Sequence, residues 1–251
     1  MDLSETQGEV LNRHPWELSR TRCVMSSFSP YLDRLKKQKG YKRYINAGAG
    51  DLYFDKALLR KYKKTKVYAI DIAYKDTDSQ DARIQKYHYL EEIEQEGVDY
   101  AIMMDSLEYM EDDVAYIRRM ASKIRKGGYF FFTLPAYPVL FSDYDINIRN
   151  LRRYSSKSFA EVLNKVPELE KIEEHNFYLS LFMVRGIQKL LHLPIDPNHN
   201  FTANWKYPKN HALTMVLTGI LDLDYIVCKF LSRIGIKLPG LSMIVICRKT
   251  V

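Results

Sequence analysis

The segment KRYINAGAGDLYF constrains the chain more than any other. A short strand, Arg43 to Asn46, runs directly into a turn carrying Gly48 and Gly50. A basic helical stretch, Phe54 to Lys64, follows, and then a second strand, Val67 to Asp71, which ends on a carboxylate. Two strands separated by a helix have too long a connection for a hairpin. They must lie parallel, joined by a right-handed crossover.

The same alternation continues. Residues 83 to 89 read as a third strand and Gly97 to Asp105 as a fourth. Glu111, Asp112 and Asp113 then crowd the first turn of a helix, and Lys123, Arg125 and Lys126 its last, as the helix dipole favours; Gly127-Gly128 is expected to close it. Tyr129 to Pro135 is a fifth strand, Ser156 to Leu163 a helix, and Lys171 to Tyr178 a sixth strand. Residues 179 to 240 carry apolar helical patterns around a break rich in Pro, Asn and His, and Leu241 to Lys249 returns as a last strand. The expectation is one α/β domain over 1–251 with a mostly parallel seven-stranded sheet. Within it, 1–40 is a helical cap whose helix spans 14 to 38, 41–178 the core, 179–240 a helical insertion and 241–251 the final strand.

Composition narrows the setting. Apolar residues at 46% and charged residues at 27% exclude disordered and coiled-coil chains. Cys23, Cys228 and Cys247 are an odd, scattered set without a CxxC, which implies neither a disulfide framework nor a zinc site. The opening MDLSETQGEV lacks the basic and apolar regions of a signal peptide, and the uncharged stretch Asn210 to Leu221 falls short of the ~18 residues of a spanning helix. A cytoplasmic protein is expected. The net charge of +7 sits unevenly: from Tyr178 onward there are nine basic and three acidic residues, which leaves the rest of the chain near neutral.

Gly48 and Gly50, between a strand and a helix, suit the close approach of backbone to a ligand at a helix N-terminus. Asp71 ends the next strand 21 residues after Gly50, where a carboxylate takes the two hydroxyls of a ribose. A tight turn beside a solvated Asp is the plainer alternative.

In this order the motifs resemble the class I S-adenosylmethionine-dependent methyltransferases. NAGAGD is similar to that family's first motif, with Asp71 as its acidic second-strand motif. VDYAIMMDSLEYMEDD resembles the fourth-strand motif and IRKGGYFFFTLPA the fifth, while LFSDYDINIRNLRRYS and HPWELSR are similar to segments of a small-molecule subset. The resemblance implies a Rossmann-like three-layer sandwich with an antiparallel last strand, and S-adenosylmethionine as cofactor with no metal. It implies Asn46, Ala47, Gly48, Ala49, Gly50, Asp71, Ile72, Asp105, Ser106 and Arg20 as the cofactor-binding set. Trp16 is expected to close over the cofactor with Arg20, or else to pack in the core.

Four positions depart from the family pattern. Asn46 stands where an acidic residue is usual and Leu52 where a small one is; Tyr109 and Asn150 each replace a common His. No acidic residue clearly occupies the loop after the third strand.

Methyl transfer is an in-line displacement that needs positioning and, for a hydroxyl or ammonium acceptor, a base. Asp143, Asp145, Tyr137 and His14 are the candidate catalytic groups, set against loop capping for the two Asp and a helix start for His14. Arg152, Arg153 and Tyr154 are candidates for gripping an anionic acceptor, or for fastening their own loop through Asp pairs. The preferred reading is methyl transfer to a small, glycan- or lipid-linked acceptor between the loop after strand five and the insertion. A non-catalytic binding protein on the same fold is the alternative, suggested by the departures. A nucleic-acid methyltransferase stands third, because Asp105-Ser106-Leu107-Glu108 is not a base-reading motif. The basic, apolar insertion suits an anionic acceptor or peripheral contact with a membrane, and equally a lid or a homodimer helix.

Overall fold

The computed structural model describes residues 12–37, 40–76, 79–94, 96–191 and 205–251. The N-terminal segment MDLSETQGEV and most of the Pro/Asn/His-rich break lie outside them. The elements are α1 (Pro15–Lys36), β1 (Lys42–Ala47), α2 (Tyr53–Lys61), β2 (Thr65–Ile70), β3 (Ile84–Tyr87), β4 (Val98–Met104), α3 (Asp113–Lys123) and β5 (Ile124–Pro135). They continue with α4 (Asp143–Asn147), α5 (Ser156–Asn164), β6 (Leu169–Phe177), α6 (Leu179–Leu190), α7 (Ala212–Arg233) and β7 (Ser242–Lys249).

One seven-stranded sheet runs in the order β3-β2-β1-β4-β5-β7-β6. Strands β1 to β5 pair in parallel, and β7 is antiparallel to both of its neighbours. This is the expected Rossmann-like sandwich with an antiparallel last strand. The order reverses at β1, between β2 and β4, so a crevice opens beyond the carboxyl ends of these strands.

The sheet is buried on both faces, which explains apolar strands without strict alternation. One core joins Phe28 and Leu32 of α1 and Leu58 of α2 to Tyr44, Tyr100 and Phe131 on the sheet. Phe28 stacks on Phe131 at 4.3 Å and Tyr44 on Tyr100 at 4.9 Å. The other core sets Ile117 and Met120 of α3 and Phe159 of α5 against Ile45, Met103, Phe130 and Phe132.

The expected Gly127-Gly128 helix closure is not found. Helix α3 ends at Lys123, capped by Ile124, and both glycines lie inside β5. Val98 pairs with Ile124 but Tyr100 with Tyr129, so the extra β5 residues bulge out. Gly127 takes φ +74°, and a Cβ on Gly128 would stand 2.7 Å from the Asp99 carbonyl oxygen. The glycines therefore serve a strand bulge instead of a helix end.

The insertion between β6 and β7 is fastened by polar ties. Asp224 of α7 accepts from the Leu179 N–H (2.9 Å) and Ser180 N–H (2.6 Å) at the start of α6, and Arg22 of α1 pairs with Asp222 at 2.7 Å. Deeper in, Ser27 of α1 lies 2.7 Å from the Tyr225 hydroxyl and 3.3 Å from His175 Nε2 on β6. His175 Nδ1 faces Glu173 at 3.3 Å, and the Tyr31 hydroxyl donates to Glu173 at 2.7 Å. Burial alone would raise the Glu173 carboxyl, but the bonds from His175 and Tyr31, with the charges of His175 and Lys229, hold it at about 2.

A carboxylate lowered on folding stabilises above its unfolded value near 4.5, and that contribution is lost as pH falls toward about 2. Glu173→Gln is therefore expected to lower Tm most at pH 6–7, with the gap to wild type closing as the pH drops below ~4.5. Thermal melts across this range check it.

Candidate active site

The glycine turn hangs from the end of β2. The N–H groups of Gly48 and Ala49 both donate to the Ile70 carbonyl, at 2.9 and 3.0 Å, and the Gly50 N–H donates to Asp71 Oδ2 at 2.9 Å. The expectation that these N–H groups face a ligand is not met, since β2 has taken all three. Helix α2 likewise begins on carboxylates. Asp51 Oδ1 accepts from the Tyr53 N–H at 3.2 Å, and Asp51 is paired with Arg13. Such a turn offers no cradle for phosphate. It offers instead an open backbone surface at Gly48, whose φ of +73° and whose ideal Cβ position 2.5 Å from Ser106 Cβ admit no side chain.

Asp71 is half-buried, and its Oδ1 also accepts from the Ala73 N–H at 2.9 Å. A carboxylate has about four acceptor positions, so two such bonds leave capacity for a diol. Ile72 follows at 78% exposure, an apolar platform beside that carboxylate.

Asn46 closes β1, and its departure from the family pattern has a local cause. Its Nδ2 donates to both oxygens of Asp55, at 3.0 and 2.9 Å, while the Tyr44 hydroxyl donates to Asp55 at 2.6 Å. Asp55 is fully buried in α2, and burial raises its carboxyl to about 6 despite those bonds. A carboxylate at position 46 would meet another carboxylate. The amide avoids that repulsion and leaves Asn46 Oδ1 buried with no partner among the described residues. Leu52 takes φ 63° as the cap of α2 and packs in the core, and nothing in the structure explains a leucine there.

Across the crevice, Arg20 of α1 pairs with Asp105 at 2.5 Å, and its guanidinium lies 4.9 Å from the Trp16 ring. Asp105, at φ 45°, also accepts from Thr133 Oγ1 at 3.0 Å. Arg20 Nε, Ser106 Oγ, Tyr74 Oη and Glu108 Oε2 are buried without hydrogen-bond partners among the described residues, as Asn46 Oδ1 is. Buried polar atoms are rarely left so, and five of them on residues near the carboxyl ends of β1, β2 and β4 mark where a polar ligand belongs. Glu108 is fully buried, and burial with the nearby Asp105 charge pushes its carboxyl well up, toward the neutral acid.

Several expected groups have other work. Asp145 is buried: it pairs with Arg153 at 2.8 Å and accepts from the Ser142 N–H at 3.0 Å and Asn150 Nδ2 at 3.3 Å, so it anchors its loop. His14 caps α1, with Nδ1 accepting from the Trp16 N–H at 3.1 Å and its ring edge-on to Trp205 at 4.7 Å. Arg152 pairs with Asp113 at 3.1 Å, and the buried Tyr154 hydroxyl donates to the same carboxylate at 2.9 Å. The Arg152-Arg153-Tyr154 segment thus fastens its own loop. Of the candidate catalytic groups, exposed Asp143 and half-buried Tyr137 remain. The Tyr137 ring lies 4.9 Å from Phe182 of α6, its hydroxyl accepts from Asn176 Nδ2 at 3.3 Å, and burial raises its phenol, so it stays protonated.

Sequence reasoning missed Arg13, Asp55, Tyr74 and Trp205. Arg13 covers the Tyr53 ring at 3.8 Å and bridges Glu17 and Asp51, which ties the cap to the glycine turn. The i, i+4 spacing of Arg13 and Glu17 was the one signal available for it.

The model of a methyltransferase domain family matches residues 20–188, two thirds of the chain and the whole crevice. The chain belongs to the class I S-adenosylmethionine-dependent methyltransferases. No curated protein matches its sequence. Among solved structures, a Galdieria sulphuraria protein provisionally named a sarcosine dimethylglycine methyltransferase aligns at TM-score 0.55 and 12% identity, over 93% of this chain and 86% of its own. A Bacillus halodurans protein provisionally named a methyltransferase aligns at 0.53 and 11%, over 90% and 100%. Phosphoethanolamine N-methyltransferase 2 of Haemonchus contortus, in complex with S-adenosyl-L-methionine, aligns at 0.52 and 14%, over 90% of this chain and 53% of its own. At such identities the likeness shows the fold alone.

The Asn46–Asp55 pair makes a sharp prediction. Asn46→Asp should destabilise by about 3 kcal/mol near pH 8, where two buried carboxylates face each other. The loss should shrink near pH 5, where the pair holds a proton. Thermal melts at the two pH values check this; an equal loss at both would remove Asp55 as the cause.

Proposed function

We propose that the protein transfers a methyl group from S-adenosylmethionine to a small, glycan- or lipid-linked acceptor held between the loop after β5 and helix α6. The observation that carries the cofactor half is the donor set of the crevice. The glycine turn keeps its N–H groups for β2 and so offers nothing to a phosphate, while a diol acceptor and an apolar platform stand open and a buried amide oxygen lacks a partner among the described residues. That chemistry fits an adenosine joined to an amino acid without phosphates.

When bound, S-adenosylmethionine supplies an electrophilic methyl group on a sulfonium. Asp71 is suited to the ribose hydroxyls and Ile72 to one face of the adenine. Asn46 Oδ1 suits the methionine amino group, and Arg20 the carboxylate, in exchange for Asp105. An acceptor hydroxyl or ammonium that took the methyl group would have to give up a proton to a base or to solvent. Asp143, exposed on α4, is the carboxylate suited to take that proton. Tyr137, protonated, can donate to the acceptor and orient it.

The acceptor half rests on the wall that Tyr137 forms with Phe182. Asn176 fixes it by donating to the Tyr137 hydroxyl and to the Leu238 carbonyl at 3.0 Å. The non-catalytic alternative drew on Asn46, Leu52 and the missing acid after the third strand; of these, Asn46 has a local structural cause in Asp55.

Calorimetry with S-adenosylhomocysteine tests the cofactor half. Wild type should bind, and Asp71→Asn, which keeps an acceptor for the Gly50 N–H, should weaken binding by about 1.5 kcal/mol or more. No binding by wild type would sink the proposal. With an acceptor that supports turnover, Asp143→Asn should lower kcat ~100-fold or more if it is the base, whereas Tyr137→Phe should chiefly raise KM. Unchanged kcat in Asp143→Asn would assign the proton to solvent.

A further inference from the structure

Helix α7 is turned inside out. Its buried residues are Thr214, Thr218, Leu221, Tyr225 and Cys228, a face richer in hydroxyls than in aliphatic groups. Its solvent face carries Leu213, Val216, Ile220, Leu223, Val227 and Phe230, all 42–61% exposed. On α6, no residue is buried, and Met183, Val184, Ile187 and Leu190 also point outward. A helix apolar on its outer face has that face covered in its working state.

The charges of both helices turn away from this surface. Asp222 goes to Arg22, Asp224 to the start of α6, and Lys229 to the Ser26 carbonyl and the Tyr225 hydroxyl. Lys189 donates to the Val139 and Phe141 carbonyls, and Arg185 covers the Tyr144 ring at 4.9 Å. What remains at the two ends of α7 is cationic: Lys206 and Lys209 before it, Arg233 and Lys237 at its close, all exposed. No acidic residue of α7 reaches the outer face among the described residues.

We infer that the α6–α7 face docks on an anionic lipid bilayer, with α7 lying in the plane of the interface. The charge pattern selects this occupant. In an antiparallel pairing of two α7 helices, Lys209 of one copy would approach Arg233 and Lys237 of the other. In a parallel pairing each cation would meet its own copy. Either way like charges face each other without an acid between them, which disfavours a second copy. Anionic headgroups neutralise the same cations while the aliphatic face enters the acyl boundary. A length of 22 residues, ~33 Å, suits a helix lying along the surface. No described helix is long and apolar enough to cross a membrane.

The surface continues to the acceptor side of the crevice. Phe182 of α6 holds Tyr137, and Val139 and Ile146, exposed on the loop and helix after β5, extend the apolar patch. An acceptor anchored in the bilayer would reach the site along this edge. That route rests on the proposed methyl transfer; the docking itself does not.

Vesicle flotation of the full chain tests docking directly. Wild type should float with phosphatidylcholine vesicles containing phosphatidylglycerol and stay behind with phosphatidylcholine alone. Leu223→Glu with Phe230→Glu, on the outer face, should lower partitioning about tenfold or more, and Lys209→Glu with Lys237→Glu should abolish the preference for phosphatidylglycerol. Circular dichroism melts matching wild type would show that the variants fold. Three results overturn the inference: no flotation of wild type with anionic vesicles, undiminished flotation of the folded double variants, or sedimentation as a dimer that Leu223→Glu dissociates. S-adenosylhomocysteine calorimetry on the same samples separates the two proposals, since failure to bind would sink the cofactor reading and leave flotation untouched.

Discussion

The glycine turn is held by β2, and much of the site follows from that. Three consecutive N–H groups, of Gly48, Ala49 and Gly50, end on the Ile70 carbonyl and the Asp71 carboxylate. Because Asp71 both supports the turn and faces the crevice, the diol acceptor and the turn are placed by one group. Parallel pairing of β1 with β2 sets the register that allows it, with Ala47 opposite Ile70. The usual reading of a glycine turn before a helix, as a cradle of free donors, fails here for this reason. Gly48 is needed for space, since it lies against Ser106 on the next strand's exit.

The second constraint is a buried carboxylate. Asp55 takes the Tyr44 hydroxyl and the Asn46 amide, so its charge is spread over strong donors inside the core, and its raised pKa shows that burial still dominates. An amide at position 46 then follows from electrostatics. It can satisfy Asp55 with its N–H groups and still aim an oxygen elsewhere, which a second carboxylate cannot do without sharing a proton. A residue that looks like a loss in the sequence is one half of a pair whose other half lies nine positions later.

That pair shows how far the sequence could be read. The strand–helix alternation was legible because it depends on local periodicity and spacing, whereas the antiparallel last strand came from the family resemblance. The Gly127-Gly128 bulge was not legible, since its cause is a register shift against Asp99 on another strand. The roles of Asp145, Arg152 and Arg153 were equally hidden. An Asp and an Arg eight residues apart in a loop look the same whether they face each other or a ligand. Only burial separates those cases, and here Asp145 is fully enclosed. Orientation was the other missing quantity. Apolar periodicity along α7 marks a helix but does not say which way its apolar stripe faces.

The cluster of Ser27, His175 and Glu173 shows why that orientation is stable. In outline it resembles a nucleophile, base and orienting acid, but Ser27 is buried and shared with Tyr225 and Lys229, so no substrate carbonyl can approach it. Its geometry serves attachment instead. Ser27 of α1 bonds both Tyr225 and His175 of β6, the Trp205 indole donates to Thr214 at 2.8 Å, and Asp224 fixes the start of α6. A helix held on its inner face by aliphatic packing alone would bury its largest apolar residues there and present polar ones outside. Directional polar ties let α7 do the reverse, because they secure it without using its aliphatic side chains. The cost of such an arrangement, an exposed apolar face, is tolerable only where something in the working environment covers it, and the same face leads to the acceptor edge of the crevice.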